Sequence, residues 1–470
     1  MSFTTTEFLV LFVATCLLYF NLRRDGQNAV VLTAGLIFYG WWDWRFLFLV
    51  LATTFVDYAC AIYIHASNSE RRRRGFLAAA LVINLGTLGV FKYLDFSIQS
   101  TADLVRWFGG TPNLALLNLV LPLGISFYTF HALSYAIDVY RRRTEPERNY
   151  LTYLGFVMFF PLLVAGPIER AWHLIPQFKT DRDVSAAKIR SGLLLCAAGF
   201  VKKLVIADNL AVIANYGFEN QSGSGALHLI AIYAFAIQIY CDFSGYSDIA
   251  MGTARILGFD VFQNFNLPYL ATNPREFWRA WHISLSSWFR DYVYIPLGGN
   301  RGSRAHTLRN LAITMVLCGL WHGAAWVFIL WGAFHGILLA AYDLWSRSVA
   351  GQWISAKKGF VAHALKSLVF FQAICVGWLL FRANSVGQAF AMLRSIVWNF
   401  TIDASIVSLA TKLAIFAIPL LLVQFCQKRH GLTPWDSWRA EFQVLTLVAA
   451  AVVVTLMGAP NRTQFIYFQF

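Results

Sequence analysis

Long apolar runs recur along the whole chain and constrain its fold more than any other feature. A helix that crosses a bilayer needs about 20 mostly apolar residues, and runs of this kind recur from residues 4–22 to residues 442–459. Hydrophobic residues make up 58% of the chain and charged residues 13%, whereas globular proteins contain about 45–50% and about 25%. The sequence therefore predicts an all-α, polytopic membrane protein with about eleven spans and additional re-entrant or partial helices.

The basic residues predict how the chain is oriented in the membrane. The net charge is +14, and such an excess is typical of proteins that contact nucleic acid, an anionic membrane face or acidic substrates. Here the basic residues form short clusters between apolar runs, such as 71–74 and 141–143. We therefore expect no nucleic-acid binding, membrane lipids as surroundings, and both clusters in the cytoplasm, which places the N-terminus on the opposite side.

The sequence predicts a single membrane domain over residues 1–470 and no metal centre. The seven cysteines are scattered through or beside apolar runs, and no two of them form a C-x-x-C pair. They are typical of small packing residues rather than of a disulfide framework or a zinc site. We find no internal repeat, low-complexity segment or soluble domain in the sequence.

One segment, residues 261–300, contains no spanning run although it is rich in aromatic residues. Asn273, followed by Pro274 and an acid at residue 276, predicts a helix over about 274–290. At about 100° per residue, one face of that helix would be polar. This face would carry Arg275, Arg279, His282, Ser286 and Arg290. It is typical of an interfacial helix that contacts lipid headgroups, and the alternative is a re-entrant helix that lines a water-filled anion site.

A second unusual feature is His322, which lies deep in an apolar run. Ionisable residues in such positions are functional by default, although a helical histidine can also simply bond a neighbouring carbonyl. Gly319 and Gly323 flank it, and they favour either close helix packing or room for a substrate beside the imidazole. His335, further along the same run, is the weaker candidate.

Taken together, these residues resemble the membrane-bound O-acyltransferase family, in particular its bacterial branch related to alginate O-acetyltransferase. The resemblance extends through nearly the whole chain. The matching segments are 38–43 (FYGWWD), 126–130 (SFYTF), 165–170 (AGPIER), 242–250 (DFSGYSDIA), 277–286 (FWRAWHISLS), 290–292 (RDY), 297–301 (LGGNR), 321–323 (WHG) and 465–470 (FIYFQF). The chain departs from the branch at Ala280, where a second arginine is common.

The resemblance implies a helical fold around a tunnel or funnel across the membrane, with His322 as the catalytic histidine and His282 as the second histidine of the site. It implies acetyl-CoA as the cytoplasmic donor, no permanently bound cofactor, and a multi-pass location in the bacterial inner membrane with a periplasmic N-terminus. It also implies a periplasmic partner, an SGNH-type acetyltransferase or acetyl acceptor protein, that completes O-acetylation of an exopolysaccharide such as alginate or cellulose.

The residue types fit acyl transfer from a thioester to a hydroxyl. Such a reaction needs a base for the attacking oxygen, donors for the oxyanion and shelter from water. A buried, neutral imidazole at His322 suits the first task, and His282 can orient the acceptor or stabilise charge. Arginine side chains offer charged donors for the phosphates of CoA, and the candidates are Arg275, Arg279 and Arg290.

Several alternatives stay open at this level. Cys318 lies one helical turn before His322 and could form an acyl-cysteine. The basic loops also suit transfer of D-alanine from an acidic carrier protein toward teichoic acid. A secondary transporter would use broken helices as a midplane site, and a non-enzymatic scaffold for polysaccharide export would not need His322.

Overall fold

The computed structural model describes residues 1–163, 166–220, 222–460 and 463–468, with the backbone alone at residue 468. Ala165, Gln469 and Phe470, which belong to two of the motifs above, lie outside the described residues. Every regular element in the described part is helical, which confirms the predicted all-α class. The chain forms two compact units, unit 1 (Met1–Gly192 and Ala250–Phe262) and unit 2 (Leu193–Ile249 and Gln263–Phe470).

Unit 1 is built from eight helices. They are α1 (Thr6–Tyr19), α2 (Arg24–Asp43), α3 (Arg45–Ala66), α4 (Glu70–Leu88), α5 (Leu94–Trp107), α6 (Ile125–Tyr140), α7 (Tyr150–Val157) and α8 (Ala171–Lys179). Close approach and a buried hydrogen bond hold them together. A Cβ on Gly35 of α2 would lie 2.0 Å from the carbonyl oxygen of Met158, so only glycine fits there. Asn84 of α4 donates to the buried Asp57 of α3 at 2.6 Å.

Unit 2 contains most of the remaining helices, and α9 and α11 contribute residues to both units. The helices are α9 (Ala186–Phe200), α10 (Asp208–Glu219), α11 (Gly225–Ile256), α12 (Pro274–Ala280), α13 (Ile283–Phe289), α14 (Arg304–His322), α15 (Trp326–Trp345), α16 (Val349–Ala356), α17 (Phe360–Arg382), α18 (Val386–Trp398), α19 (Ala404–His430) and α20 (Ala440–Met457). Between α9 and α10 the chain winds as a π-helix, Val201–Ala207, a geometry that is frequent at functional sites.

Seven helices of the described residues are long and apolar enough to cross a membrane. They are Arg45–Ala66, Glu70–Trp107, Gly225–Ile256, Trp326–Trp345, Phe360–Arg382, Ala404–His430 and Ala440–Met457. This count is below the predicted eleven spans because several apolar runs fold as shorter helices, such as α1 with 14 residues and α6 with 16. The chain is therefore a multi-pass membrane protein with additional partial helices.

α14 and α15 form a hairpin in backbone contact. A Cβ on Gly319 would lie 2.2 Å from the carbonyl oxygen of Phe328, and one on Gly332 would lie 2.3 Å from that of Met315. A Cβ on Gly323 would lie 2.1 Å from the ring of Phe328. The glycines therefore serve close helix packing, and the space beside them is filled by protein rather than open to a substrate.

The predicted start of the helix at 274 is confirmed, but its continuation to 290 is wrong. The Asn273 side chain accepts from the backbone N–H groups of Arg275 and Glu276, as an N-cap does. The helix then ends at Ala280, and α13 begins only at Ile283. His282 between them has a φ of 41°, the left-handed region that non-glycine residues rarely adopt. This break turns His282 away from the face predicted for it.

Candidate active site

His322 is the last residue of α14 and is only 3% exposed. Its ring lies against three aromatic rings from other elements, with ring centroids 4.9 Å away at Trp331, 5.2 Å at Phe381 and 5.5 Å at Tyr467. These rings belong to α15, α17 and the C-terminal segment. His322 is therefore buried in an apolar surrounding, as predicted. Aromatic side chains form that surrounding.

Asn264 holds His282 in its unusual conformation. The Asn264 side-chain oxygen faces Nδ1 of His282 at 3.2 Å and accepts from the Ser284 hydroxyl at 2.6 Å. The backbone oxygen of Asn264 accepts from the N–H of Ile283 at 2.9 Å. Its amide nitrogen donates to Ser247 at 3.2 Å. These bonds tie residues 282–284, at the start of α13, and Ser247 of α11 to one residue, Asn264.

The His282 imidazole is neutral and its tautomer is set by Asn264. Because an amide oxygen can only accept, Nδ1 carries the proton and donates, which leaves Nε2 as the basic nitrogen. Burial lowers the pKa of His282 to about 3, since a charged imidazole would lose its hydration. His282 is fully buried, against the edge of Phe243 at a centroid distance of 4.6 Å.

The two predicted histidines belong to one aromatic cluster of unit 2. Trp321 lies between them, with ring centroids 5.9 Å from His282 and 5.0 Å from His322. Tyr467 likewise faces both, at 6.5 Å and 5.5 Å. The structure thus brings together His282 and His322, which lie 40 positions apart in the sequence. We call this group, including Phe381 and Trp331, the histidine cluster.

Trp331 connects the histidine cluster to a third buried histidine, His335. Its ring lies 4.9 Å from His322 and 4.7 Å from His335. In the described part of the chain, the buried indole N–H of Trp331 has no hydrogen-bond partner. An unsatisfied buried donor costs free energy, which makes this N–H a candidate donor to a substrate oxygen.

The C-terminal segment completes the cluster and is anchored by buried charges. Lys203 on the π-helix contacts Asp208 at 2.8 Å and Asp242 at 2.6 Å, and it donates to the carbonyl oxygen of Thr463 at 3.0 Å. Asp242 in turn accepts from the backbone N–H of Ile466 at 2.8 Å. These bonds fix the backbone on both sides of Phe465, and the next residue after Ile466 is the Tyr467 that contacts both histidines.

The arginines predicted to bind the donor do not form one group. Arg275 pairs with Asp343 of α15 and lies over the ring of Tyr342 at 5.5 Å. Arg279 is exposed, and Arg290 is exposed and pairs with its neighbour Asp291 at 2.8 Å. The break at His282 explains the difference, because residues after it no longer share the face of those before it.

A different basic cluster surrounds Arg275. Arg304, the first residue of α14, and Arg347, beyond α15, lie 3.5 Å and 3.3 Å from the same Asp343 carboxylate. Asp343 is 7% exposed in its side chain, whereas Arg275, Arg304 and Arg347 are 47%, 46% and 67% exposed. One carboxylate therefore gathers three half-exposed guanidinium groups, which leaves an excess of two positive charges for an anionic ligand.

The motif at 166–170 belongs to unit 1. The Glu169 carboxylate faces Nδ1 of His173 at 2.7 Å and accepts from the backbone N–H of Phe262. Burial raises the pKa of Glu169, and the bond to Glu169 raises the pKa of His173. The Glu169 backbone N–H donates to the ring of His131 at 3.0 Å. The motif thus ties α6, α8 and residue 262 of unit 1 together.

Sequence reasoning missed several residues of this site. Asn264, Trp331, Phe381 and Tyr467 carry no local signal of chemistry, although the aromatic ending around Tyr467 was part of the family resemblance. Cys318 is buried within α14, one turn from His322. Among the described residues, no group of three or more histidine, cysteine or acidic side chains could hold a metal ion.

Comparison with known proteins identifies the family of this chain. The model of the membrane-bound O-acyltransferase family matches residues 39–381. Probable alginate O-acetylase AlgI of Pseudomonas aeruginosa is 40% identical over 83% of this chain and 74% of its own length, and that of Pseudomonas putida is 34% identical over the full length of both. Peptidoglycan O-acetyltransferase of Helicobacter pylori is 33% identical over 84% of this chain and 79% of its own. The matched region contains both histidines, Asn264 and Trp331, and this chain belongs to the membrane-bound O-acyltransferase family.

Proposed function

We propose that this membrane O-acyltransferase takes acetyl from cytoplasmic acetyl-CoA and moves it across the bacterial inner membrane for O-acetylation of an exopolysaccharide of the alginate or cellulose type, with His322 as the catalytic base. The observation that carries the proposal is the burial of His322 and His282 in one aromatic cluster, where Asn264 fixes the protonation of His282. Acyl transfer from a thioester to a hydroxyl needs a base in a site shielded from water, and a buried imidazole can act as that base.

The reaction follows from the two imidazoles. The acceptor hydroxyl attacks the thioester carbonyl carbon while His322 removes its proton, and the tetrahedral intermediate carries the negative charge on the former carbonyl oxygen. When the carbon–sulfur bond breaks, the proton on His322 neutralises the departing CoA thiolate. His282, with Nε2 as an acceptor, orients the acceptor through a different O–H group, because the attacking hydroxyl has a single proton and His322 removes it. The tunnel that would lead both substrates to His322 stays a prediction.

The Trp331 indole N–H is suited to stabilise the oxyanion. It is a preorganised donor in a buried site beside the His322 ring. Removing one such donor from an acyl-transfer site costs on the order of 10² to 10³ in kcat. Trp331 is therefore the residue of this chain that we expect to contact the developing negative charge.

The basic cluster of Arg275, Arg304 and Arg347 is suited to hold the phosphates of acetyl-CoA. Asp343, which gathers these arginines, follows Trp331 on α15 and lies about 18 Å further along the helix axis at the rise of an α-helix. An extended pantetheine arm bridges a separation of this order. Arg279 and Arg290 are exposed nearby in the sequence, and in this proposal they make weaker, screened contacts with the same donor.

The proposed direction of transfer follows from the chain's charges. The Arg71–Arg74 cluster begins α4, and Arg74 is 72% exposed in its side chain. Under the positive-inside rule this end faces the cytoplasm, where acetyl-CoA is available, and the N-terminus faces the periplasm. A periplasmic SGNH-type acetyltransferase or acetyl acceptor protein would then take the acetyl group and complete the modification of the polymer.

Reconstitution of the purified chain in proteoliposomes with radiolabelled acetyl-CoA tests the proposal. Wild-type protein is expected to release CoA and transfer acetyl to an acceptor, and His322→Gln is expected to lose this activity by about 10² to 10⁴. His306→Gln, an exposed histidine at the other end of α14, is the matched control. Melting temperatures show that each variant is folded.

Two outcomes would contradict the proposal. Activity with a D-alanyl carrier protein but none with acetyl-CoA would replace acetyl by D-alanine as the transferred group. Restoration of polysaccharide acetylation in a deletion strain by His322→Ala protein would favour a transporter or scaffold over an enzyme.

A further inference from the structure

Unit 1 contains a groove that the proposed reaction does not use. It has a volume of about 650 Å³ and runs along α2, between α2, α7 and the end of α8. Its α2 wall extends from Asp25 to Leu36, which is about 16 Å at the rise of an α-helix. One end of the groove is charged, and the remainder is lined by apolar side chains together with Asn28, Thr33, Asn149 and Thr152.

The charged end carries two basic and two acidic side chains. Arg24 bonds the carbonyl oxygen of Lys179 at 2.9 Å and pairs with Asp25 at 3.1 Å. Lys179 pairs with Glu147 at 2.6 Å. Glu147 is 4% exposed in its side chain, whereas Arg24 and Lys179 are 42% and 56% exposed. A guanidinium has five donors and an ammonium three, so both basic groups can bind a further oxygen while they keep these contacts.

The remainder of the groove suits a hydrocarbon chain. Ala29, Leu32 and Leu36 of α2 face Leu151 and Phe178 across it. Leu151 is 62% exposed and Ile37, beside the groove, is 46% exposed. In a membrane protein such apolar side chains contact lipid, and basic residues at the helix end mark the level of the headgroups. The groove therefore changes along its length from apolar to charged, as a phospholipid does from its acyl chains to its headgroup.

We propose that this groove is a binding site for one zwitterionic phospholipid that carries a primary ammonium group. The phosphate contacts Arg24 and Lys179, the ammonium contacts Asp25, whose side chain is 86% exposed, and one acyl chain lies against Ala29 and Leu36. Two positive and two negative side chains balance each other, so a headgroup with one charge of each sign fits better than a purely anionic one. The primary ammonium brings both a positive charge and N–H donors to a carboxylate, whereas a choline headgroup has no N–H donor and a glycerol headgroup has no positive charge.

Native mass spectrometry of the full-length chain in detergent tests this site. Phosphatidylethanolamine, phosphatidylglycerol and phosphatidylcholine with identical acyl chains are titrated into delipidated protein. Wild-type protein is expected to bind one phosphatidylethanolamine at a concentration at least tenfold lower than either of the others, the gain expected from one charge-assisted hydrogen bond. Glycerophosphoethanolamine, which has the headgroup but no acyl chains, is expected not to displace the lipid.

Two pairs of variants separate this site from lipid bound anywhere on the surface. Ala29→Phe fills the groove and Arg24→Gln removes a phosphate donor, and each is expected to weaken binding of phosphatidylethanolamine about tenfold or more. Ile37→Phe and Arg23→Gln are the matched controls, because neither residue lines the groove, and both are expected to bind as wild type. Thermal unfolding without lipid shows that all four variants fold.

The proposal is overturned if phosphatidylglycerol binds as tightly as phosphatidylethanolamine, which would show an anionic lipid site. It is equally overturned if Ala29→Phe binds lipid like Ile37→Phe, which would place the bound lipid elsewhere on the surface. Neither result depends on the acetyl-transfer activity.

Discussion

The hairpin α14–α15 and the broken helix α12–α13 each carry a histidine of the candidate site. They differ in how far their structure is determined by residues that are close together in the sequence. In the hairpin, the apolar run and the glycines at 319 and 332 determine two helices in backbone contact. In the broken helix, the pattern of residues 274–290 predicts one continuous amphipathic helix, and contacts from Asn264 interrupt it. A helical face predicted from periodicity is valid only as far as the helix continues.

Among variants that keep both histidines, the largest effect we predict is at Trp331 and distinguishes a chemical role of the hairpin from a packing role. Trp331→Phe keeps an aromatic ring beside His322 but removes the indole N–H, so kcat for acetyl transfer should fall on the order of 10² to 10³ while the melting temperature changes little. Trp326→Phe, on the same helix and 59% exposed, is the matched control. Full activity of Trp331→Phe would show that the ring only packs against the histidines.

The next prediction concerns Asn264, whose contacts hold the break between α12 and α13. Asn264→Ala removes the acceptor for Ser284 and His282, and should lower the free energy of unfolding by about 1–3 kcal/mol and also lower kcat. Asn266→Ala, whose side chain is exposed two residues later, should change neither quantity. If Asn264 acts through His282, its effect on kcat and that of His282→Gln will not add in a double-mutant cycle.

A smaller effect is expected from pH. The folded pKa of His282, about 3, lies below the unfolded value of 6.5, so the neutral ring stabilises the fold above pH 6.5 and this contribution is lost as the pH falls from 6.5 toward 3. The slope is up to about 1.4 kcal/mol per pH unit. Melting curves at pH 7.5 and 5.5 should show a smaller pH effect in His282→Gln than in wild type and in His306→Gln.

The smallest effect is expected at Cys318. If His322 is the only residue of α14 that takes part in the chemistry, Cys318→Ala should retain acetyl transfer, and no acyl-cysteine should be found by mass spectrometry of protein quenched during turnover. Loss of activity in a folded Cys318→Ala protein would instead support the covalent route. This variant therefore tests which side chain of α14 takes part in the chemistry.

Some features of the site could be predicted from the sequence, and others could not. The cap at Asn273 was correctly predicted because it depends on neighbours within a few residues. The helical face predicted to be shared by Arg275 and Arg290 was wrong, because α12 ends at Ala280 and Arg275 lies with Arg304 and Arg347 around Asp343. A carboxylate near the end of an apolar helix needs partners, which is the one signal that points to this cluster.

The amino-acid sequence by itself determined that this chain is a helical membrane protein of the O-acyltransferase family, because apolar run length and ordered motifs are local properties. Only the tertiary structure decided that His282 and His322 share one aromatic cluster and that Tyr467 joins them. The physical reason is that Asn264 and the Lys203 anchor act between residues far apart in the chain, and hydrogen bonds of that kind leave no periodic pattern in the sequence.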